Sequence, residues 1–145
     1  MLYISNTNMS LPPPRYLFLT GLNETSITRY NLITGLFDVI YNDDNFPLCL
    51  TVDEDNNVIY WVNYDATAGK YFIMKSFYNM TTVNLKSFSD SNTTSLKMAH
   101  DKNFIYILDS SGSRIYKMDK ETASTVLTIP IDPGSSEMSL ADGTS

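Results

Sequence analysis

The sequence predicts an all-β fold, a partial β-propeller of four-stranded antiparallel blades, on the evidence of three recurring registers. Tyr16-Leu17-Phe18-Leu19-Thr20, Ile59-Tyr60-Trp61-Val62-Asn63 and Ile105-Tyr106-Ile107-Leu108-Asp109 are apolar strands of one kind, starting 43 and 46 residues apart. Ile27, Ile73 and Ile115 are separated by 46 and 42 residues, and each is followed two places on by a base, Arg29, Lys75 or Lys117. Thr51, Ala99 and Ala141 are separated by 48 and 42. Over two repeats the registers span 89, 88 and 90 residues, an agreement that unrelated strands would not keep. Repeats of about 40–45 residues, each holding several short strands, have the size of propeller blades.

Each element follows from local chemistry. Residues 1–14 are a polar lead-in ending in Pro12-Pro13-Pro14, which favours extended chain. Strands are expected at Arg15–Gly21, Thr25–Asn31 and Leu36–Tyr41, rich in aromatic and β-branched residues and separated by polar turns. The Asn42–Asn45 loop is stopped by Pro47. Leu48–Asp53 follows, with Leu48, Leu50 and Val52 at period two. After the Glu54–Asn57 turn comes Val58–Asn63, apolar at nearly every position, as a strand covered on both faces must be. The turn Tyr64–Gly69 leads to Lys70–Phe77 and then Val83–Phe88. Ser95–His100, Phe104–Ser110, Arg114–Met118 and Ser124–Pro130 repeat the cycle, and Glu137–Ala141 begins it once more. Leu48–Asp53 and Ser95–Asp101 are expected to be the innermost strands. The strands near Val39, Val83 and Val126 are expected outermost and least regular.

This organisation gives a lead-in, 1–14, and an incomplete propeller, 15–145. Two whole blades, 48–94 and 95–136, lie between partial ones. Closed propellers have about 4–8 blades, so the expectation is a piece of a longer protein, six-bladed when whole. Its missing blades, or self-association, would be needed to cover the exposed blade faces.

Composition narrows the partners. The 145 residues carry 10 basic and 16 acidic side chains, a net charge of −6. The bases Lys70, Lys75, Lys86, Lys97, Lys102, Arg114, Lys117 and Lys120 are scattered singly. That argues against nucleic acid as a partner, which calls for a clustered basic surface. No apolar run approaches the ~20 residues of a membrane span, so direct membrane insertion is not expected. Met1–Pro14 has no charged segment followed by an apolar run, so no secretory signal is visible there. The single cysteine, Cys49, cannot form an internal disulfide and lies in the apolar stretch Leu48-Cys49-Leu50, which predicts a buried, unreactive thiol.

Two segments carry a family resemblance. Asp53, then Ile59-Tyr60-Trp61-Val62-Asn63, then Ile73-Met74-Lys75 resembles the Tyr-Trp-Thr-Asp blades of the low-density lipoprotein receptor class B type. Asp101, Ile105-Tyr106-Ile107-Leu108-Asp109 and Arg114-Ile115-Tyr116-Lys117-Met118-Asp119 repeat the pattern. Tyr60, Trp61, Tyr106 and Asp109 match the four-residue motif, whereas Val62, Asn63, Ile107 and Leu108 depart from it. The resemblance covers about residues 15–142. It implies a six-bladed extracellular module of a cell-surface receptor or matrix protein, binding a protein ligand or adjacent modules. It carries over no ligand-binding residue, because such residues vary between members.

The candidate sites are few. Asn23, Asn79 and Asn92 open sequons in expected inter-strand loops, where a glycan is tolerated; a fourth sequon begins at Asn8. Asp53, Asp55 and Asn57 begin like a calcium loop, but Val58 stands where glycine is required and Tyr64 where glutamate is, so a solvated hairpin turn is expected. His100, the one histidine, lies near the end of an inner strand; Val52 and Asp142, its equivalents, form no ligand set with it, and a structural or exposed histidine is expected. Ser110-Ser111-Gly112-Ser113 lacks a nucleophile elbow and a base, and reads as a turn. Trp61 and the strand tyrosines are expected to pack blades. No catalytic, metal or cofactor set is therefore expected. The expected function is a non-catalytic, extracellular or cell-surface propeller module that binds ligands through loops on a rigid scaffold. The alternative is part of a propeller hydrolase or lyase whose active-site residues lie outside this segment. An intracellular scaffold would leave Asn23, Asn79 and Asn92 unglycosylated.

Overall fold

A computed structural model describes residues 15–20, 25–42, 45–78, 82–88, 96–109, 113–122, 124–132 and 138. The described elements are all strands: β1 (Tyr16–Leu19), β2 (Ser26–Asn31), β3 (Phe37–Asn42), β4 (Phe46–Asp53), β5 (Val58–Asp65), β6 (Lys70–Phe77), β7 (Thr82–Phe88), β8 (Leu96–His100), β9 (Phe104–Asp109), β10 (Arg114–Asp119) and β11 (Thr125–Pro130). They form three antiparallel meanders: β1-β2-β3 (blade 1), β4-β5-β6-β7 (blade 2) and β8-β9-β10-β11 (blade 3). Strands β4 and β8 lie alongside each other, which places them on the inner side as expected. The fold class is thus the predicted one. Residues 137 and 139–141, where a further strand was expected, lie outside the described residues.

The turns explain why the chain reverses where it does. In four of them a carboxylate or amide oxygen at the end of a strand accepts backbone N–H groups two and three residues on. Asn31 Oδ1 receives Ile33 and Thr34, Asp65 Oδ1 receives Thr67 and Ala68, Asp101 Oδ1 receives Asn103 and Phe104, and Asp119 Oδ1 receives Glu121 and Thr122. The turn after β5 closes with Gly69 at φ 63°, a left-handed position that glycine fills without strain.

Register corrects two sequence expectations. Leu32 N donates to Arg15 O, Tyr78 N to Asn57 O and Lys120 N to Asn103 O, three copies of one bond. The equivalent residues are therefore Tyr16, Val58 and Phe104, then Phe18, Tyr60 and Tyr106, then Leu19, Trp61 and Ile107. The first repeat, aligned by starting Tyr16 against Ile59, was one residue out of step. Such a slip moves every side chain to the opposite face. Arg29, Lys75 and Lys117 pair across the ladder with Phe18, Tyr60 and Tyr106, which confirms the corrected alignment. Secondly, Pro47 does not end the loop but lies inside β4. The ladder shifts between Pro47 and Cys49, and the extra residue, Leu48, turns outward. A bulge is one of the few strand positions that tolerates proline. The outermost ladders β2–β3, β6–β7 and β10–β11 are each irregular, as expected of outer strands.

The core lies between blades. Blade 1 meets blade 2 through Phe18, Ile27, Ile40 and Tyr41 on one side and Ile59, Trp61 and Met74 on the other. The opposite face of blade 2, with Val58, Tyr60, Val62 and Ile73, meets Leu96, Met98, Ile105, Ile107 and Met118 of blade 3. Strand β5 is buried on both faces because it serves both joints. Cys49 is buried in the second joint, and burial pushes its thiol up to about 12, in line with the unreactive role expected. Trp61 is fully buried and donates from Nε1 to Asn63 Oδ1 at 2.9 Å; Asn63 Nδ2 donates in turn to Tyr41 Oη of blade 1 at 2.6 Å.

Ile107→Ala should lower stability by about 2–5 kcal/mol through lost burial and a cavity in the second joint. Val126→Ala, on an exposed stretch of β11, should change it by less than about 0.5 kcal/mol. Urea unfolding followed by tryptophan fluorescence compares the two directly.

Candidate functional site

Blades 2 and 3 touch closely at their inner strands but part at one end, leaving a cleft of about 580 Å³. Its walls include Val58, Tyr60 and Phe77 of blade 2 and Phe104 of blade 3. Asp53 and Lys120 form its floor, and Lys75, Lys102, Asn56, Asn103, Asp119 and Glu121 complete the lining. These groups come from the turns after β4, β8 and β10 and from strand residues of β4, β5, β6, β9 and β10.

The floor is a buried ion pair joining the blades. Lys120 Nζ lies 2.8 Å from Asp53 Oδ2, with both side chains less than a tenth exposed. Asp53 Oδ2 also accepts from Asn56 Nδ2 at 2.9 Å, and Oδ1 accepts from Asn56 N at 3.3 Å. Burial alone would raise the Asp53 carboxyl, but the Lys120 ammonium and the Asn56 bonds outweigh it and hold the group below the ordinary carboxylate value. Lys120 makes a second contact at 3.0 Å to His100 Nδ1. His100 Nε2 lies 2.6 Å from Val52 O, a carbonyl that can only accept, so Nε2 carries the proton and Nδ1 receives the ammonium. Asp101 O lies 3.2 Å from the same Nδ1. The remaining direction of the ammonium faces the Tyr60 ring, 5.8 Å from its centroid. Tyr60 itself is pushed up to about 12, mainly by burial and further by the Asp53 and Glu121 carboxylates.

Asp53 therefore does not sit in a solvated turn as expected: residues 54–57 are exposed, whereas Asp53 is buried by the neighbouring blade. His100 faces blade 2, its ring bound to Val52 O. Lys120, counted from the sequence among singly scattered bases, is the residue that closes the joint. Its partner Asp53 is 67 residues away, which no local pattern reveals. The repeat held a signal nonetheless. Position 120 corresponds to Tyr78, and a lysine in place of an aromatic marks a joint built differently. Asn23, Asn79 and Asn92 lie outside the described residues. Among the described residues, no cluster of three or more His, Cys, Asp or Glu is placed to hold a metal.

The first joint shows what that difference means. There the Tyr78 ring fills the space between blades, 5.8 Å from Tyr16 and 5.3 Å from Phe18. Arg29, stacked 4.5 Å from the Tyr16 ring, donates from Nη1 to Tyr78 O at 3.1 Å and pairs with Asp38 at 2.9 Å. In the second joint Lys75 occupies the place of Arg29. It rests 4.9 Å from the Phe77 ring and 5.8 Å from Tyr60, and among the described residues no carboxylate pairs with it. With Lys120 turned down to the floor, the volume of the tyrosine ring stays open.

Removing one partner of a buried pair leaves a bare charge, so Lys120→Met should cost about 3–5 kcal/mol, and adding Asp53→Leu should recover most of the loss. Calorimetric unfolding of the single and double variants measures both. The sign of the pH dependence follows from the depressed Asp53 carboxyl. Its contribution is complete above the unfolded carboxylate value near 4 and is lost as pH falls below that through the folded value. Unfolding midpoints from pH 7 to pH 2 should fall less steeply for Asp53→Asn than for the parent chain.

No protein-family model matches the chain, and no curated protein matches it. Solved structures do. The structure of apo AztD from Citrobacter koseri is similar with a TM-score of 0.59 and 17% identity, over 91% of this chain and 38% of that one. A crystal structure of a nidogen/laminin complex is similar with a TM-score of 0.52 and 11% identity, over 80% of this chain and 59% of that one. A second AztD structure from Citrobacter koseri gives 0.58 and 15%, over 95% and 42%. The chain thus spans between about two-fifths and three-fifths of the length of these neighbours. At such identities the likeness shows the fold, a propeller of stacked blades.

Proposed function

We propose that this chain belongs to a non-catalytic, extracellular propeller module that binds a protein ligand. The observation that carries the reading is the cleft between blades 2 and 3. Its polar floor is satisfied internally by Asp53, Lys120 and His100, so its groups are engaged with one another. Its rim is made of turn residues held on two rigid sheets, the arrangement by which scaffolded loops recognise partners. The class B receptor resemblance of Asp53, Tyr60 and Trp61 supports the same reading. So does the likeness to a propeller-containing protein whose structure was solved in complex with laminin.

Two measurements test this. Secreted from animal cells, the chain should carry glycans at Asn23, Asn79 and Asn92, seen as a mobility shift that enzymatic deglycosylation removes and that each Asn→Gln change at these three positions reduces by one step. An unglycosylated product would count against the extracellular assignment. Labelled protein should also bind matrix-coated surfaces saturably. Lys102→Glu with Glu121→Lys, both exposed at the rim, should weaken that binding at least about fivefold without moving the unfolding midpoint. Binding indifferent to this pair would remove the cleft from the ligand-binding role.

A further inference from the structure

We infer that the cleft between blades 2 and 3 is a socket for one aromatic side chain, tyrosine or phenylalanine, presented by the partner polypeptide, with Lys75 receiving that residue's backbone carbonyl. The inference rests on the ligand-binding reading above and specifies what the ligand offers.

The first joint supplies the template. Tyr78 belongs to blade 2, yet it docks on blade 1 as a ligand would. Its ring packs against both Tyr16 and Phe18, and its carbonyl accepts from the Arg29 guanidinium at 3.1 Å. By the corrected register, the residues that receive it correspond in blade 2 to Val58, Tyr60 and Lys75. All three line the open cleft. The second joint therefore keeps the receiving surface but lacks the ring, because its counterpart, Lys120, extends to Asp53 and His100 instead. Val58 stands here in place of Tyr16 and makes that wall smaller. Phe77 and Phe104 add aromatic walls suited to offset or edge-on ring contacts. Lys75, with no carboxylate partner among the described residues, offers an ammonium where Arg29 offers its Nη1. An aliphatic side chain would lose the ring contacts and the Tyr60 face. A lone carboxylate would sit close to Asp53 and Glu121, whose charges already act on Tyr60.

The test titrates the full chain with capped tripeptides, acetyl-Gly-Tyr-Gly-amide, its Phe counterpart and its Leu counterpart, followed by amide resonances and calorimetry. The Tyr and Phe peptides should bind saturably and shift the resonances of Tyr60, Lys75 and Phe104, with the Leu peptide at least tenfold weaker. Lys75→Ala should weaken the Tyr peptide about tenfold while Lys75→Arg retains it. Lys120→Tyr combined with Asp53→Asn installs the ring of the first joint and should block the socket. Equal affinity for the Leu peptide, or undiminished binding to a folded Lys120→Tyr/Asp53→Asn variant, would overturn the inference; Lys75→Ala decides it should that double variant not fold. Failure here is separable from failure of the broader reading. If no tripeptide binds but rim charge reversal still weakens matrix binding, the socket alone is lost. If the Tyr peptide binds and the matrix does not, the protein-binding role is lost and the socket stands.

Discussion

A four-stranded blade has two apolar faces, and each must be covered by another sheet or by solvent at a cost. Everything else in this structure answers that constraint. Strand β5 is buried from Val58 through Asn63 because it contributes to both joints, alternate side chains serving alternate neighbours. The blades hold together through side chains rather than a shared ladder, so the fit between faces decides the geometry of the whole. Most polar groups caught in the joints find partners, although the buried Arg29 Nε has none among the described residues. In the first joint these are Trp61, Asn63 and Tyr41; in the second, Lys120, Asp53 and His100.

The two joints solve one packing problem in two ways. An aromatic ring fills the first, and its backbone carbonyl is tied down by arginine. A buried ion pair pins the second and leaves a cleft above it. The ion pair is a costly means of closure, since both charges leave water. The additional bonds from Asn56 and His100 are what make the arrangement tenable. Blade 3 shows a further variant on its far side. Asp101, the counterpart of Asp53, accepts from Tyr106 Oη of its own blade at 2.7 Å, an arrangement that holds the carboxyl low and pushes the phenol up to about 12.

Much of this was legible in the sequence. The strands β5 and β9 stand where composition placed them, because residues buried on both faces leave a nearly unbroken apolar run; β6 and β10 stand where the Ile73 and Ile115 repeat placed them. Turns were placed from polar stretches alone, whereas the structure shows Asn31, Asp65, Asp101 and Asp119 capping the reversing backbone. Errors arose where local pattern was ambiguous. In Tyr16-Leu17-Phe18-Leu19 every residue is apolar, so nothing in the segment distinguishes its faces, and the register is resolved by the Leu32–Arg15 backbone bond and the cross-strand pairing with Arg29. Pro47 carries no local sign that a bulge will accommodate it. The cleft was hidden for a different reason. It depends on a contact between Asp53 and Lys120, and on the absence at position 120 of a ring that the previous repeat possesses.

The corrected register also bears on cooperativity. Leu17 and Leu19 correspond to Ile59 and Trp61 and to Ile105 and Ile107, which are fully buried, yet they are 48% and 47% exposed. Among the described residues, blade 2 is covered on both faces and blade 1 on one. In a stacked array, where each unit draws much of its stability from nearest neighbours, such an imbalance grades the free energy of opening along the chain. Amide protons of β5 and β6 then exchange through the most complete unfolding, and those of β1 and β2 through smaller, local openings.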